Sequence, residues 1–236
     1  MSESRSEERR RRHPREWAAR LMGMALLLAI VALGVFGLLA DEVFEGDTLK
    51  FDLAVRNGVH AQASPALTQV MRGFSFLGSA VFLGTATIVL VLAFALLAHW
   101  PRAAALLAIT MLGDVALEVT LKGMFRRPRP EAFFGTPLPD SYSFPSGHAM
   151  ASLCFYLVLA GMMAHRVESR KARIGLWAGA AIMAAGIGLS RIYLGVHWPT
   201  DVIAGYAAAA VWVGTVVTVD GWRARKLLIE EVRLKK

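Results

Sequence analysis

The chain has a single cysteine, Cys154. An intramolecular disulfide is thereby excluded, and no Cys/His spacing suited to a metal site is present. Cys154 lies inside an apolar run, where packing is its expected role. Acidic residues are also scarce: 18 Asp and Glu stand against 26 Lys and Arg, a formal charge of +8. Such a balance is one mark of a nucleic-acid partner. Here, however, the positive residues sit mainly in short segments between apolar runs, the pattern of membrane topology rather than of a groove for DNA. Charged residues make up only 19% of the chain and hydrophobic ones 56%. The mean hydropathy of +0.47 is well above that of soluble domains. At 236 residues the chain fits one domain, and that domain reads as a membrane protein.

Six apolar runs are long enough to be spans, since a bilayer core takes about 20 helical residues. They cover residues 17–40, 74–98, 103–121, 150–164, 174–189 and 202–219. The first is too long for a secretory leader and lacks a small-residue cleavage site, so it reads as an uncleaved helix. Residues 1–16 are polar and Arg-rich and read as a disordered cytoplasmic tail, and residues 220–236 as a second basic cytoplasmic tail. The fold class expected is all-α, an integral membrane six-helix bundle over residues 17–219. Between the first two spans, Phe51, Val55 and Val59, then Leu67, Val70, Met71 and Phe74, recur at helical spacing. Short amphipathic helices at the outer membrane surface, or packed across the bundle, fit this. Gly175 and Gly179, and Gly205 with Ala209, mark faces where helices are expected to approach closely.

Ionisable residues inside or beside spans are costly and face a polar interior or a partner. Asp114, Glu118 and Lys122 follow at four-residue steps and share one helical face. Glu118 is expected to support Lys122, and Asp114 to hydrogen-bond within the bundle. Residues 122–147 hold five prolines, Pro128, Pro130, Pro137, Pro139 and Pro145, and read as a loop. In the stretch 190–201, Asp201 follows His197 by four residues, so the two side chains can meet if a helix starts there. Pro199 suits the first turn of that helix. A carboxylate so placed can orient an imidazole and raise its basicity.

Three stretches stand in order: Lys122 with Arg129-Pro130, Pro145-Ser146-Gly147-His148, and Ser190-Arg191 with His197 and Asp201. They resemble the three-part signature of the type 2 phosphatidic acid phosphatase superfamily, relatives of the acid phosphatases and vanadium haloperoxidases. The motifs span residues 122–201, and the apolar runs extend the likeness over most of the chain. The resemblance implies a bundle of that type and hydrolysis of a phosphate ester. His197 would attack phosphorus and form a covalent phosphohistidine, with Asp201 orienting it. His148 would protonate the leaving group and then activate water, a task suited to an unperturbed pKa of about 6.5. Lys122, Arg129 and Arg191 offer the cations an anion needs, and Ser146 and Gly147 lie where a helix N-terminus would present free N–H groups. Neither a metal nor another cofactor is expected, because these cations supply the charge. Arg126 and Arg127 fall outside the motif positions and read as contacts to lipid headgroups or to a second phosphate. Tyr193 and Trp198 read as interface aromatics. His13, His60, His99 and His165 receive no chemical role.

An even number of spans puts both termini on one side. That side, with Arg102 and residues 165–173, carries 18 of the 26 Lys and Arg residues, and the other side eight. The richer side is expected to be cytoplasmic, which places all three motifs on the extracytoplasmic face of the inner membrane. The substrate class expected is a lipid phosphate or diphosphate: undecaprenyl diphosphate, phosphatidic acid, phosphatidylglycerol phosphate or a lipid A phosphate. No nucleic-acid partner is expected, and nothing fixes an oligomeric state. Two other readings compete. A non-catalytic transporter or scaffold leaves the ordered motifs unexplained. A haloperoxidase would hold vanadate in the phosphate site, though relatives of that kind are soluble and larger.

Overall fold

Helices account for all regular structure among the described residues. This computed structural model describes the backbone of residues 2–234 and the side chains of residues 22–227 and Glu230. In chain order the helices are α1 (Ser2–Glu45), α2 (Leu49–His60), α3 (Pro65–Leu77), α4 (Ala80–Leu92) with a π-helical turn Ala93–Leu97, α5 (Pro101–Phe125), α6 (Gly147–Ala164), α7 (Arg170–Tyr193) and α8 (Pro199–Leu234). Six stretches in them are long and apolar enough to cross a bilayer: Met22–Glu45, Ala80–Leu97, Pro101–Phe125, Gly147–Ala164, Arg170–Tyr193 and Pro199–Leu227. The expected bundle of six spans is therefore present.

Helix ends follow local chemistry. Ser64 caps α3, its Oγ accepting from Leu67 N at 3.3 Å ahead of Pro65 at the first position. Ser79 caps α4 through Phe82 N at 3.2 Å. The second span consequently starts at Ala80 rather than at residue 74. Phe74 belongs to α3, and the intervening Gly78 cannot carry a side chain, because a Cβ there would sit 2.3 Å from Ile187 Cγ2. Pro101 opens α5, and Pro199 opens α8 as expected. The loop expected from residue 122 begins only after Phe125, so Lys122 is helical.

Of the tail expected over residues 1–16, the backbone from Ser2 belongs to α1, and the side chains lie outside the described residues. The tail expected from residue 220 continues as α8 to Leu234.

α6 is the central helix and packs against α4, α5, α7 and α8, while α1 runs along α8. Leu83, Leu107, Met150, Cys154 and Phe155 form the heart of the core. Leu27, Leu28 and Leu38 on α1, Ile88 on α4, Leu112 and Val119 on α5, and Ile182 on α7 are more than half exposed, a lipid-facing surface. The close approach expected at Gly205 is real, since a Cβ there would stand 2.8 Å from the Ser146 carbonyl oxygen. That expected at Gly175 and Gly179 is not: a Cβ at either meets nothing within 4 Å. Small residues permit contact but do not dictate which helix arrives.

Candidate active site

The functional side chains gather where α5 ends and α6 and α8 begin. Lys122 lies one turn from the end of α5, and its Nζ donates to Glu118 Oε1 at 2.5 Å, the (i, i+4) pairing expected. The Glu118 carboxylate in turn lies against Gly147, where a Cβ would come within 2.0 Å of Oε1. A larger residue at 147 would therefore displace Glu118 from the start of α6.

Ser146 occupies the N-cap position of α6, but its hydroxyl makes no capping bond and its buried Oγ has no partner. The first N–H groups of α6 are thus not satisfied by that side chain, which leaves donors and positive dipole at the helix start. Ser146 N donates to the Asp201 carbonyl at 3.0 Å, tying the two helix starts together.

Arg126 ends α5 in the left-handed region at φ 46°, and its Nε donates back to Gly123 O at 3.0 Å. The loop beyond is pinned by Ser143, whose N donates to Arg127 O at 2.9 Å and whose Oγ donates to Pro128 O at 3.1 Å. This fixes Arg129. Its Nε and Nη2 hold the loop through Ser141 O at 2.7 Å and Ser141 Oγ at 3.0 Å, while Nη1 donates to Val196 O at 2.9 Å and reaches His197 Nε2 at 3.0 Å.

Guanidinium nitrogens only donate, so this contact makes Nε2 the acceptor and puts the ring proton on Nδ1. Nδ1 faces Asp201 Oδ2 at 3.3 Å. The tautomer left by these two neighbours keeps the lone pair on Nε2, the form a nucleophilic imidazole requires. Burial pushes the His197 pKa down, and the Arg129 and Arg191 cations push the same way against the raising effect of Asp201, leaving it at about 4. Burial also lowers the pKa of Arg129, opposed by Asp201 and Glu118.

Arg191, at the end of α7, is buried. Its Nη1 donates to Ser75 Oγ on α3, and its Nε has no partner. His148, one residue into α6, lines the same cavity as Lys122, Arg129, Arg191 and His197. Every residue expected to act is therefore at this one end of the bundle. Among the described residues, no three His, Cys, Asp or Glu side chains come together as ligands for a metal ion.

The cavity has a volume of about 610 Å³ and does not stop at the polar residues. It continues between α4 and α5 along Leu83, Thr87, Ile88, Val91, Met111 and Leu112, with Asp114 in its wall. Asp114 accepts the Cys154 Sγ–H at 3.6 Å, the intrabundle hydrogen bond expected of it.

The sequence pattern of the PAP2 superfamily matches residues 103–225, which hold all three motifs. The chain belongs to the PAP2 superfamily. Phosphatidylglycerophosphatase B of Bacillus subtilis is 30% identical over 174 residues, 73% of this chain and 84% of that protein. The undecaprenyl-diphosphatase of Sulfolobus acidocaldarius is 39% identical over 77 residues, 33% of this chain and 32% of that one. A crystal structure of a transmembrane PAP2-type phosphatidylglycerolphosphate phosphatase from Bacillus subtilis superposes with a TM-score of 0.74 at 28% identity, covering 81% of this chain and 95% of that one. This PAP2 protein is a membrane-embedded phosphatase.

Several residues of the PAP2 site stand differently from what sequence implied. Arg127 does not reach a headgroup. Its side chain is 11% exposed, and its guanidinium bridges the fully buried Asp52 and Asp201 at 2.6 Å each. Tyr193 is not an interface aromatic; it is 1% exposed, and its hydroxyl meets Thr68 Oγ1 at 2.8 Å. Trp198 donates from Nε1 to Pro128 O at 3.1 Å, so it braces the loop. Asp52, fully buried on α2, was not among the expected functional residues. The one signal for it was a run of polar residues at four-residue steps, Thr48, Asp52, Arg56 and His60, on one face of an otherwise largely apolar helix.

Proposed function

We propose that this phosphatase removes phosphate from a lipid phosphate monoester or diphosphate, at the extracytoplasmic face, through a phosphohistidine on His197. The observation that carries the lipid assignment is the continuity of the cationic site with the apolar groove between α4 and α5. Its lining residues Ile88, Leu92, Leu112 and Val115 are each more than half exposed on the outer surface of the bundle. A tail can thus slide in sideways from the bilayer while the phosphate reaches His197. Hydrocarbon tails are as apolar as the groove, so the groove provides access and little binding energy. Affinity must come from the phosphate, where Lys122, Arg129, Arg191 and the α6 N-terminus supply charge-assisted hydrogen bonds.

In the first step the Nε2 lone pair forms a bond to phosphorus and the bond to the leaving oxygen breaks. His148 gives that oxygen its proton. The Nδ1 proton stays between the ring and Asp201, whose negative charge offsets the positive charge on the phosphorylated imidazole. Arg129, which occupies Nε2 in the free protein, transfers its donor to a phosphate oxygen, as Lys122 and Arg191 do. In the second step a water attacks phosphorus, His148 takes its proton, and the nitrogen–phosphorus bond breaks to release inorganic phosphate. The excess of Lys and Arg on the side opposite the motifs supports the extracytoplasmic placement.

Purified protein in detergent is expected to release phosphate from at least one of phosphatidic acid, phosphatidylglycerol phosphate and an isoprenyl diphosphate, with EDTA present. No turnover on any of them would overturn the lipid assignment, and loss of activity in EDTA would overturn the metal-independent route.

A pH prediction follows from the burial of His197. With its pKa lowered from 6.5 to about 4, the nucleophile stays unprotonated across mildly acidic solution. The acid limb of kcat/KM is expected near pH 4 once the substrate phosphate's own ionisation, at about 6, is divided out. A limb at the free-imidazole position would show that His197 is solvated instead. The same group weakens folding as the pH falls from 6.5 to about 4, because there the unfolded chain takes up the proton and the folded one does not.

A further inference from the structure

A chain of ion pairs leads away from the cavity behind Asp201. Arg127 Nη1 donates to Asp201 Oδ1 at 2.6 Å and to Thr200 Oγ1 at 2.8 Å. Arg127 Nη2 donates to Asp52 Oδ2 at 2.6 Å and to Thr48 Oγ1 at 3.1 Å. Asp52 is also held from α8: Thr200 N donates to its Oδ1 at 2.9 Å, and Thr200 Oγ1 lies 2.8 Å from its Oδ2. Both carboxylates are 0% exposed. Neither Asp52 nor Arg127 lines the cavity.

This arrangement is more than a fold contact. A carboxylate can rotate and exchange its oxygens, and one turned by a quarter no longer faces Nδ1 in line. Asp201 cannot turn here. Oδ1 is clamped by Arg127, and Oδ2 accepts Trp198 N at 2.9 Å beside the His197 contact. Arg127 cannot turn either, because its second nitrogen is clamped by a carboxylate brought in by α2. Two buried carboxylates without the guanidinium between them would be an uncompensated charge pair next to the imidazole.

We propose that Arg127 is a positioning residue for His197, acting through Asp201, and that Asp52 on α2 is the counter-ion that holds it. The inference rests on the reading of His197 as nucleophile. Lysine cannot replace the device fully, since a single ammonium lacks the planar fork that serves two carboxylates at once. The charged or titratable groups facing His197 are Asp201 from α8, Arg129 from the loop, Arg191 from α7 and His148 from α6. Lys122 from α5 lines the same cavity. None of these changes when Arg127 is replaced, so a shift of the His197 titration would report Asp201 and its clamp.

The test measures kcat, KM and the acid limb for Arg127→Met and Arg127→Lys in detergent, on whichever phosphate ester the wild type hydrolyses. Arg127→Met is expected to lower kcat about 100-fold with KM within threefold, and to raise the acid limb by about one pH unit, because the uncompensated carboxylates favour the imidazolium. Arg127→Lys is expected to lower kcat about tenfold with a smaller shift. A kcat within twofold of wild type in either variant overturns the proposal. So does a loss of kcat with the limb unmoved, since a merely structural role would reduce the active fraction without touching the titration. If Arg127→Met does not accumulate as folded protein, Arg127→Lys decides alone by the same criteria. His197→Ala assayed in parallel separates the two levels. An inactive His197→Ala beside a normal Arg127→Met sinks this inference only, whereas an active His197→Ala sinks the nucleophile reading itself.

Discussion

His197→Ala is expected to lower phosphate release by about 10⁴-fold or more, because in the proposed mechanism His197 forms the bond to phosphorus and the cations only bind and polarise. Binding of inorganic phosphate should change by less than about threefold, since Lys122, Arg129, Arg191 and the α6 N-terminus stay in place. The distinguishing measurement is a trapped intermediate. Wild-type protein quenched during turnover of a labelled substrate should carry phosphate on nitrogen, stable to base and lost in acid, and the variant should carry none. Activity retained within tenfold, or the same label on the variant, would remove His197 from the role given to it. The expectation has a structural basis in the two contacts of the ring: Arg129 Nη1 at 3.0 Å from Nε2 and Asp201 Oδ2 at 3.3 Å from Nδ1 leave a single tautomer, with the lone pair on the nitrogen facing the cations.

His148→Gln is expected to show a loss that depends on the leaving group. An alkyl phosphate, whose alkoxide is a poor leaving group, should lose about 10² to 10⁴ in kcat, the range of general acid catalysis. That loss corresponds to about 3 to 5 kcal/mol of transition-state stabilisation. An aryl phosphate whose phenolate leaves unaided should lose far less in the first step. Equal losses in kcat/KM, which reports the first step alone, would assign His148 to binding rather than to protonation of the leaving group. His148 lines the same cavity as His197, Arg191 and Lys122, the placement on which this prediction rests.

How far these residues could be found from sequence depended on the range of the interaction. Glu118 with Lys122, and His197 with Asp201, are (i, i+4) neighbours, and helical geometry alone predicts that they meet. The helix starts at Ser146 and Pro199 were legible for a similar reason, since breakers and caps act within a turn. The loop between α5 and α6 had no such period. Arg126, Arg127 and Arg129 are three cations within four positions, and nothing local says which faces solvent, which a carboxylate and which the imidazole. The structure sends Arg126 back to Gly123, Arg127 inward to Asp52 and Asp201, and Arg129 to His197. Asp52 was missed because its partner Thr200 lies 148 residues away. Tyr193 was misplaced because an aromatic beside a polar motif looks the same whether it lies at the bilayer edge or under α3.

What the sequence by itself determined is the kind of protein and the chemistry it carries. Bilayer thickness forces spans of a readable length, and a phosphate ester forces cations and imidazoles of a readable type. Only the tertiary structure decided how those groups are held: Glu118 lying over Gly147, Arg191 anchored on Ser75, α2 supplying Asp52 to the start of α8, and a groove between α4 and α5 opening to the lipid side. The physical reason is common to all four. Each is a contact between elements far apart in the chain, fixed by the packing of whole helices, and packing depends on side-chain shape across an interface that no periodicity along one strand of sequence encodes.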